Sequence, residues 1–137
     1  MAQQLDSMEI FKQTVSALNK EQGLKLAILY GSAATGTMRA NSDVDLAVLY
    51  GHALDAEQKM RLKDELERTF MRSVDLVDLS NLSGTILKQI LCKGKVVIKN
   101  DSPALAMLLQ RMIYNQADMM PYVTRTLMER QQRFLNG

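Results

Sequence analysis

The chain is 137 residues long, 47% hydrophobic and 23% charged, with 17 Lys and Arg against 15 Asp and Glu for a net charge of +2. That length makes one domain, 1–137, and the composition excludes disordered, collagen-like and disulfide-scaffold classes, while so small a charge argues against direct nucleic-acid binding by phosphate neutralisation. With Cys92 and His52 the only residues of their kinds, an internal disulfide, a zinc site and a Cys-His nucleophile pair are excluded as well.

The N-terminal MAQQLDSMEI has neither the basic nor the apolar region of a targeting segment, so a cytoplasmic protein is expected. Asp6 followed by Glu9 reads as a capping pair for a first helix, whose apolar face carries Ile10, Phe11, Val15 and Leu18 before Gly23 ends it. Leu24 to Tyr30 is an apolar run suited to a strand buried on both faces, and it stops at Gly31-Ser32. Ala33 to Ser42 has room for one helical turn and a loop. A second strand runs from Asp43 to Tyr50, with Val44, Leu46 and Val48 facing one way and Asp43, Asp45, Ala47 and Leu49 the other. One face is core, and the other begins with two acids.

Asp55 caps a helix carrying Leu62, Leu66 and Phe70. A third strand, Val74 to Leu79, reads VDLVDL. Ser83 starts a helix with Ile86, Leu87, Ile90 and Leu91, which Gly94 closes, and Lys95 to Lys99 makes a short last strand. Cys92, beside that helix's apolar face, reads as a small hydrophobe. Ser102-Pro103, as N-cap and first-turn pair, opens a helical tail, 101–137, on a core, 1–100. Leu105, Leu108, Leu109, Met112 and Ile113 form one stripe, continued by Met119, Met120, Val123, Leu127 and Phe134 after a kink at Pro121. The distal methionines, with Arg125, Arg130 and Arg133, suit a protein partner as well as a core. Ala104 to Leu109, the longest apolar run, is far short of the ~18 residues of a membrane span, so no membrane partner is expected. The alternation of helices and strands favours an α/β or α+β layered domain.

Gly31 and Ser32 end one strand, ten residues intervene, and Asp43-Val44-Asp45 opens the next, giving G-S-x10-D-x-D, with further acids in VDLVDL. Either half alone is common in turns and solvated strands; the combination is not. It resembles the minimal nucleotidyltransferases of the DNA polymerase β-like superfamily, and especially the antitoxins of HEPN/MNT toxin–antitoxin pairs. The resemblance implies a small mixed sheet flanked by helices with a C-terminal helical tail. It also implies ATP as substrate, magnesium as cofactor (two ions), and transfer of AMP to a hydroxyl, a tyrosine, of a HEPN-family ribonuclease toxin.

Nucleotidyl transfer explains these residue types. The triphosphate's charge and the attacking and leaving oxygens are met most simply by two metal ions ~3.5 to 4 Å apart. Magnesium takes carboxylates, water and phosphate, and strand residues i and i+2, ~6.6 Å apart on one face, let Asp43 and Asp45 share a metal pair. The matching superfamily position implies Asp75 as the third acid, ligating the metal and helping to deprotonate the attacking hydroxyl. Asp78 fits the same local pattern but faces the opposite side; Asp75 is preferred because it is nearer the strand start. Gly31 lets backbone approach the β- and γ-phosphates, and Ser32 adds a hydroxyl donor at exposed N–H groups. Ser42 and Arg39 match loop positions similarly occupied in the family, Arg39 as a bidentate phosphate partner.

Gly31 to Met38 is spaced like the start of a P-loop, but Thr37 and Met38 stand where its lysine and hydroxyl belong, which excludes a Walker ATPase. His52 reads as a loop residue. Two other functions share the motif: an antitoxin that inhibits by binding alone, and a small-molecule nucleotidyltransferase, for whose extra substrate region the chain has little room. The base preference, the acceptor residue and the complex stoichiometry have no readable motif.

Overall fold

The computed structural model describes residues 7–39 and 42–119. In chain order the elements are α1 (Ser7–Leu18), β1 (Leu24–Tyr30), α2 (Ser32–Thr35), β2 (Val44–Tyr50), α3 (Ala56–Phe70), β3 (Val74–Asp78), α4 (Gly84–Lys93), β4 (Lys95–Lys99) and α5 (Ser102–Met119). The strands form one four-stranded sheet in the order β3-β2-β1-β4. β1 runs antiparallel to β2 and to β4, and β2 runs parallel to β3. The sheet is therefore mixed, as expected, and its parallel pair is joined by the helical crossover α3 that such a pair requires.

The sheet is covered on both faces. One cluster joins Ile10 and Leu18 of α1 and Leu62, Leu66 and Phe70 of α3 to Leu29, Val44, Leu46 and Leu76. The other joins Leu87 and Ile90 of α4 and Ala104 and Leu108 of α5 to Leu26, Ile28, Ala47 and Leu79. The acid-bearing face of β2 is thus itself core from Ala47 onward; only its first residues leave the packing. Trimming Phe70 or Leu66, both 1% exposed, to alanine would cost about 2 to 5 kcal/mol through lost transfer energy and the cavity left behind.

Local signals set most boundaries. Asp55 accepts from the Gln58 amide at 2.8 Å while Gln58 Oε1 accepts from the Asp55 amide, a complete capping box. β2 begins at Val44 rather than Asp43, and β3 stops at Asp78, with Leu79–Asn81 forming a 3-10 turn. α5 is capped by Asp101, whose carboxylate accepts from the Ala104 amide at 3.0 Å, so Ser102 is its first residue and not its cap. The buried line of α5 is Ala104 and Leu108, flanked by Leu105 and Met112; Leu109 and Ile113, expected in the stripe, are 39% and 43% exposed. Cys92, read as a small hydrophobe, is exposed, its Sγ 3.8 Å from Met112 Sδ at the rim between α4 and α5. His52 lies in the loop after β2. Asp6, Pro121, Met120, Val123, Leu127, Phe134 and the three distal arginines lie outside the described residues, as does the Met119 side chain.

Candidate active site

Strand register builds the site. Tyr30 of β1 pairs with Asp45 of β2, and Asp45 pairs with Asp75 of β3. Directly paired residues share a face, so Tyr30, Asp45 and Asp75 form a row across three neighbouring strands. Asp43, two residues before Asp45, projects to the same side. The row lies on the face covered by α4 and α5, at the edge where that cover ends: Ala47 is fully buried, Asp45 partly, and Asp43 and Asp75 are exposed.

The charges feel one another. Burial first, then the Asp75 and Asp43 carboxylates, push the Asp45 carboxyl above its ordinary range. Burial, followed by Asp75 and Asp45, pushes the Tyr30 hydroxyl up to about 12. Negative potential is therefore concentrated on this edge, and a cation would relieve it. Sequence reasoning missed Tyr30, because its place opposite Asp45 depends on register and not on any local pattern.

Gly31 follows directly. Its φ of 66° lies in the left-handed region, and a Cβ there would run into the Asp45 carboxylate, so both backbone and space demand glycine. Ser32 opens α2, whose Ala33 and Ala34 are buried. The amides of Ala34 and Thr35 turn back to the Gly31 carbonyl at 3.1 and 3.2 Å. Those of Ser32 and Ala33 are the first of the helix and have no intrahelical acceptor.

Arg39 and Ser42 act first on each other. Ser42 Oγ accepts from the Arg39 amide at 2.9 Å, and the Ser42 amide donates to the Arg39 carbonyl at 3.0 Å. Arg72, also missed by sequence reasoning, donates from Nη1 to the Arg39 carbonyl at 2.7 Å and to the Ser42 carbonyl at 3.2 Å. Asp78 is engaged elsewhere. Its carboxylate accepts from the amides of Leu54, at 2.9 Å, and Ser80, at 3.0 Å, joining the loop before α3 to the end of β3.

Among the described residues no three carboxylate, imidazole or thiol groups enclose a ready-made ion cage. Magnesium does not need one, since it keeps waters and takes one or two carboxylates plus substrate phosphates. Hard oxygens from Asp43, Asp45 and Asp75 at an open strand edge fit it in donor chemistry. A cleft of about 620 Å³ between α1 and α3 lies on the other face of the sheet. There Arg61 is paired with Glu21 and Glu65 at 3.3 and 3.4 Å. No helix among the described residues is long and apolar enough to cross a membrane.

Residues 12–103, which include every residue of this edge, match the family Polymerase beta, Nucleotidyltransferase. The chain is similar to the protein adenylyltransferase MntA of Shewanella oneidensis, 37% identical over 93 residues, which are 68% of this chain and 65% of that protein. That match spans just under two thirds of the relative's length. A protein adenylyltransferase MntA of Aphanizomenon flos-aquae is 27% identical over 137 residues, covering 93% of this chain and 91% of the relative. Among solved structures, one chain of a toxin–antitoxin complex with AMP-PNP superposes with a TM-score of 0.64 at 25% identity, covering 92% of this chain and 95% of that one.

Proposed function

Because the chain belongs to the polymerase beta nucleotidyltransferase family, we propose that it is a cytoplasmic antitoxin that transfers AMP from ATP to a hydroxyl of a HEPN-family ribonuclease toxin, a tyrosine, and so silences it. The observation that carries this reading is the register that sets Asp45 beside Asp75, with Asp43 on the same face and Gly31-Ser32 at the end of the adjoining strand. The relatives named protein adenylyltransferase and the complex with AMP-PNP support it.

The residues divide the work. The Ser32 hydroxyl and the first amides of α2 receive the β- and γ-phosphates, which Gly31 allows to approach the backbone. Arg39, exposed in the loop before β2, offers a fork for a phosphate edge. Asp43, Asp45 and Asp75 would hold magnesium, which when bound neutralises triphosphate charge and orients the reacting oxygens. Asp75 takes the proton of the acceptor hydroxyl as its oxygen attacks the α-phosphorus. The bond from that phosphorus to the β-phosphate bridging oxygen breaks, and pyrophosphate leaves.

Turnover tests the reading. Substoichiometric protein with ATP and magnesium is expected to silence an excess of the co-expressed HEPN toxin, raise the toxin's mass by whole AMP units, and leave it silent after separation. Ser32→Ala/Asp43→Asn should abolish the lasting inhibition. If this variant protects cells as well as the wild type at equal expression, inhibition follows interface occupancy alone and the catalytic account fails.

A further inference from the structure

The two strands that carry the aspartates start together, and one arginine stands at that start. β2 and β3 begin their pairing at Val44 and Val74, with the Val44 amide donating to the Ser73 carbonyl at 2.9 Å. Arg72 sits two residues before Val74. It reaches back 30 and 33 residues to the carbonyls of Ser42 and Arg39. The turn it stands on is itself fixed, because Glu67 Oε2 accepts from the Val74 amide at 3.0 Å.

We propose that Arg72 is a positioning residue for nucleotide binding: it latches the loop before Asp43 to the turn before Asp75, and so sets Arg39, Ser42 and Asp43 against the rest of the site. The inference rests on the nucleotidyl-transfer reading above and adds to it a residue that touches no reactant. Two mutual hydrogen bonds close Arg39 and Ser42 on each other, yet neither ties them to the sheet. Arg72 adds the tie from outside: its Nη1 donates to the Ser42 carbonyl and, beside the Ser42 amide, to the Arg39 carbonyl. An ammonium on a shorter stem, more strongly hydrated, is a poorer substitute. Without the latch the loop ends at Val44 with no hold on β3 beyond the first rung. Arg39 would then meet phosphate only in a fraction of its conformations, which lowers apparent affinity by that fraction.

Trypsin and nucleotide titration together test this. Arg39, an exposed arginine, offers trypsin a cut that its fragment masses would identify. In Arg72→Ala, cleavage after Arg39 is expected to be about 10-fold faster and the Kd for ATP with magnesium about 10-fold higher, as for loss of one hydrogen bond to a charged group. Arg72→Lys should recover part of both, and all three proteins should melt within a few degrees of one another. Should Arg72→Ala not fold, Arg72→Gln carries the same comparison. A lower melting point with unchanged Kd and unchanged cleavage would make Arg72 a packing residue and overturn the proposal. If wild-type protein binds no nucleotide, the transfer reading fails and this role with it; normal wild-type binding with an unmoved variant defeats this role alone.

Discussion

Replacing Asp45 by asparagine keeps the side chain's shape and removes the central charge of the row, so the fold should gain stability while the activity goes. Neighbouring strands lie ~4.8 Å apart, which puts the Asp45 and Asp75 carboxylates about 5 Å from each other. At that separation the repulsion is about 0.8 kcal/mol in water and about 3 kcal/mol at an effective dielectric of 20. Asp75 is exposed, which favours the lower half of the range, about 1 to 2 kcal/mol. A domain of this length shifts its Tm by about 3 to 4 °C per kcal/mol, so ligand-free Asp45→Asn should melt about 3 to 8 °C above the wild type at pH 7.5. The pH dependence follows from the raised Asp45 carboxyl. The folded chain holds that proton more tightly than the unfolded chain, so its contribution is full below the ordinary value of 3.8 and is lost as pH rises through the higher folded value. The gap between variant and wild type must therefore open above that ordinary value and close below it. ATP with magnesium at about 100 times Kd adds about 2.7 kcal/mol to the wild type, roughly 9 °C, and nothing to the variant, so the order of stability inverts on addition of ligand. Calorimetric melts at two pH values, with and without ATP and magnesium, read all of this. A variant no more stable than wild type at pH 7.5, a gap as wide in acid, or an equal ligand shift would refute the reasoning.

The two acids of VDLVDL should separate by phenotype. Asp75→Asn is expected to cut AMP transfer by about 100-fold or more, as loss of a major transition-state contact does, while raising the melting point by a few degrees, because it removes the same repulsion with Asp45. Asp78→Asn should instead cost about 1 to 3 kcal/mol of stability by disturbing two part-buried amide contacts and leave most activity at low temperature; the reverse ranking, read by toxin mass and melts in parallel, would move the catalytic role to Asp78. Gly31→Ala puts a methyl group against the Asp45 carboxylate at a positive φ, so it should lower both stability, by more than about 1 kcal/mol, and nucleotide affinity. If Gly31→Ala paired with Asp45→Gly regained no more stability than the two separate effects sum to, the clash would not be its cause.

What the sequence disclosed of the fold was what neighbouring residues decide among themselves. The Asp55 cap is an i to i+3 exchange with Gln58 and can be read in a line of text; so can the apolar run of β1 or the 3.6-residue spacing of Leu62, Leu66 and Phe70. The errors sit where two local signals compete at one boundary. Asp101 and Ser102 are both good caps, and the one whose carboxylate reaches the Ala104 amide wins. Cys92 looked apolar by its place on α4, but the neighbouring helix covers Leu87 and Ile90 and leaves it at the rim.

The candidate site divides along the same line. G-S-x10-D-x-D was legible because β1 and β2 are consecutive antiparallel strands, so a fixed spacing in sequence becomes a fixed spacing in space. In text only nearness to the strand start favoured Asp75 over Asp78, since each stands between two apolar residues; that Asp75 and not Asp78 lies opposite Asp45 is a matter of the register of a parallel partner joined through the whole of α3. Tyr30 and Arg72 were invisible for the same reason, each meeting its partners 15 or more residues away. Gly31 shows how the two kinds of constraint coincide. The proposed phosphate-holding turn would need glycine for backbone approach, and the neighbouring carboxylate needs it for room, so on that proposal one residue would both admit the nucleotide and let Asp45 stand within the strand's own edge. Three acids so placed repel one another until a cation arrives, and that repulsion ties the stability of this edge to the presence of its ligand.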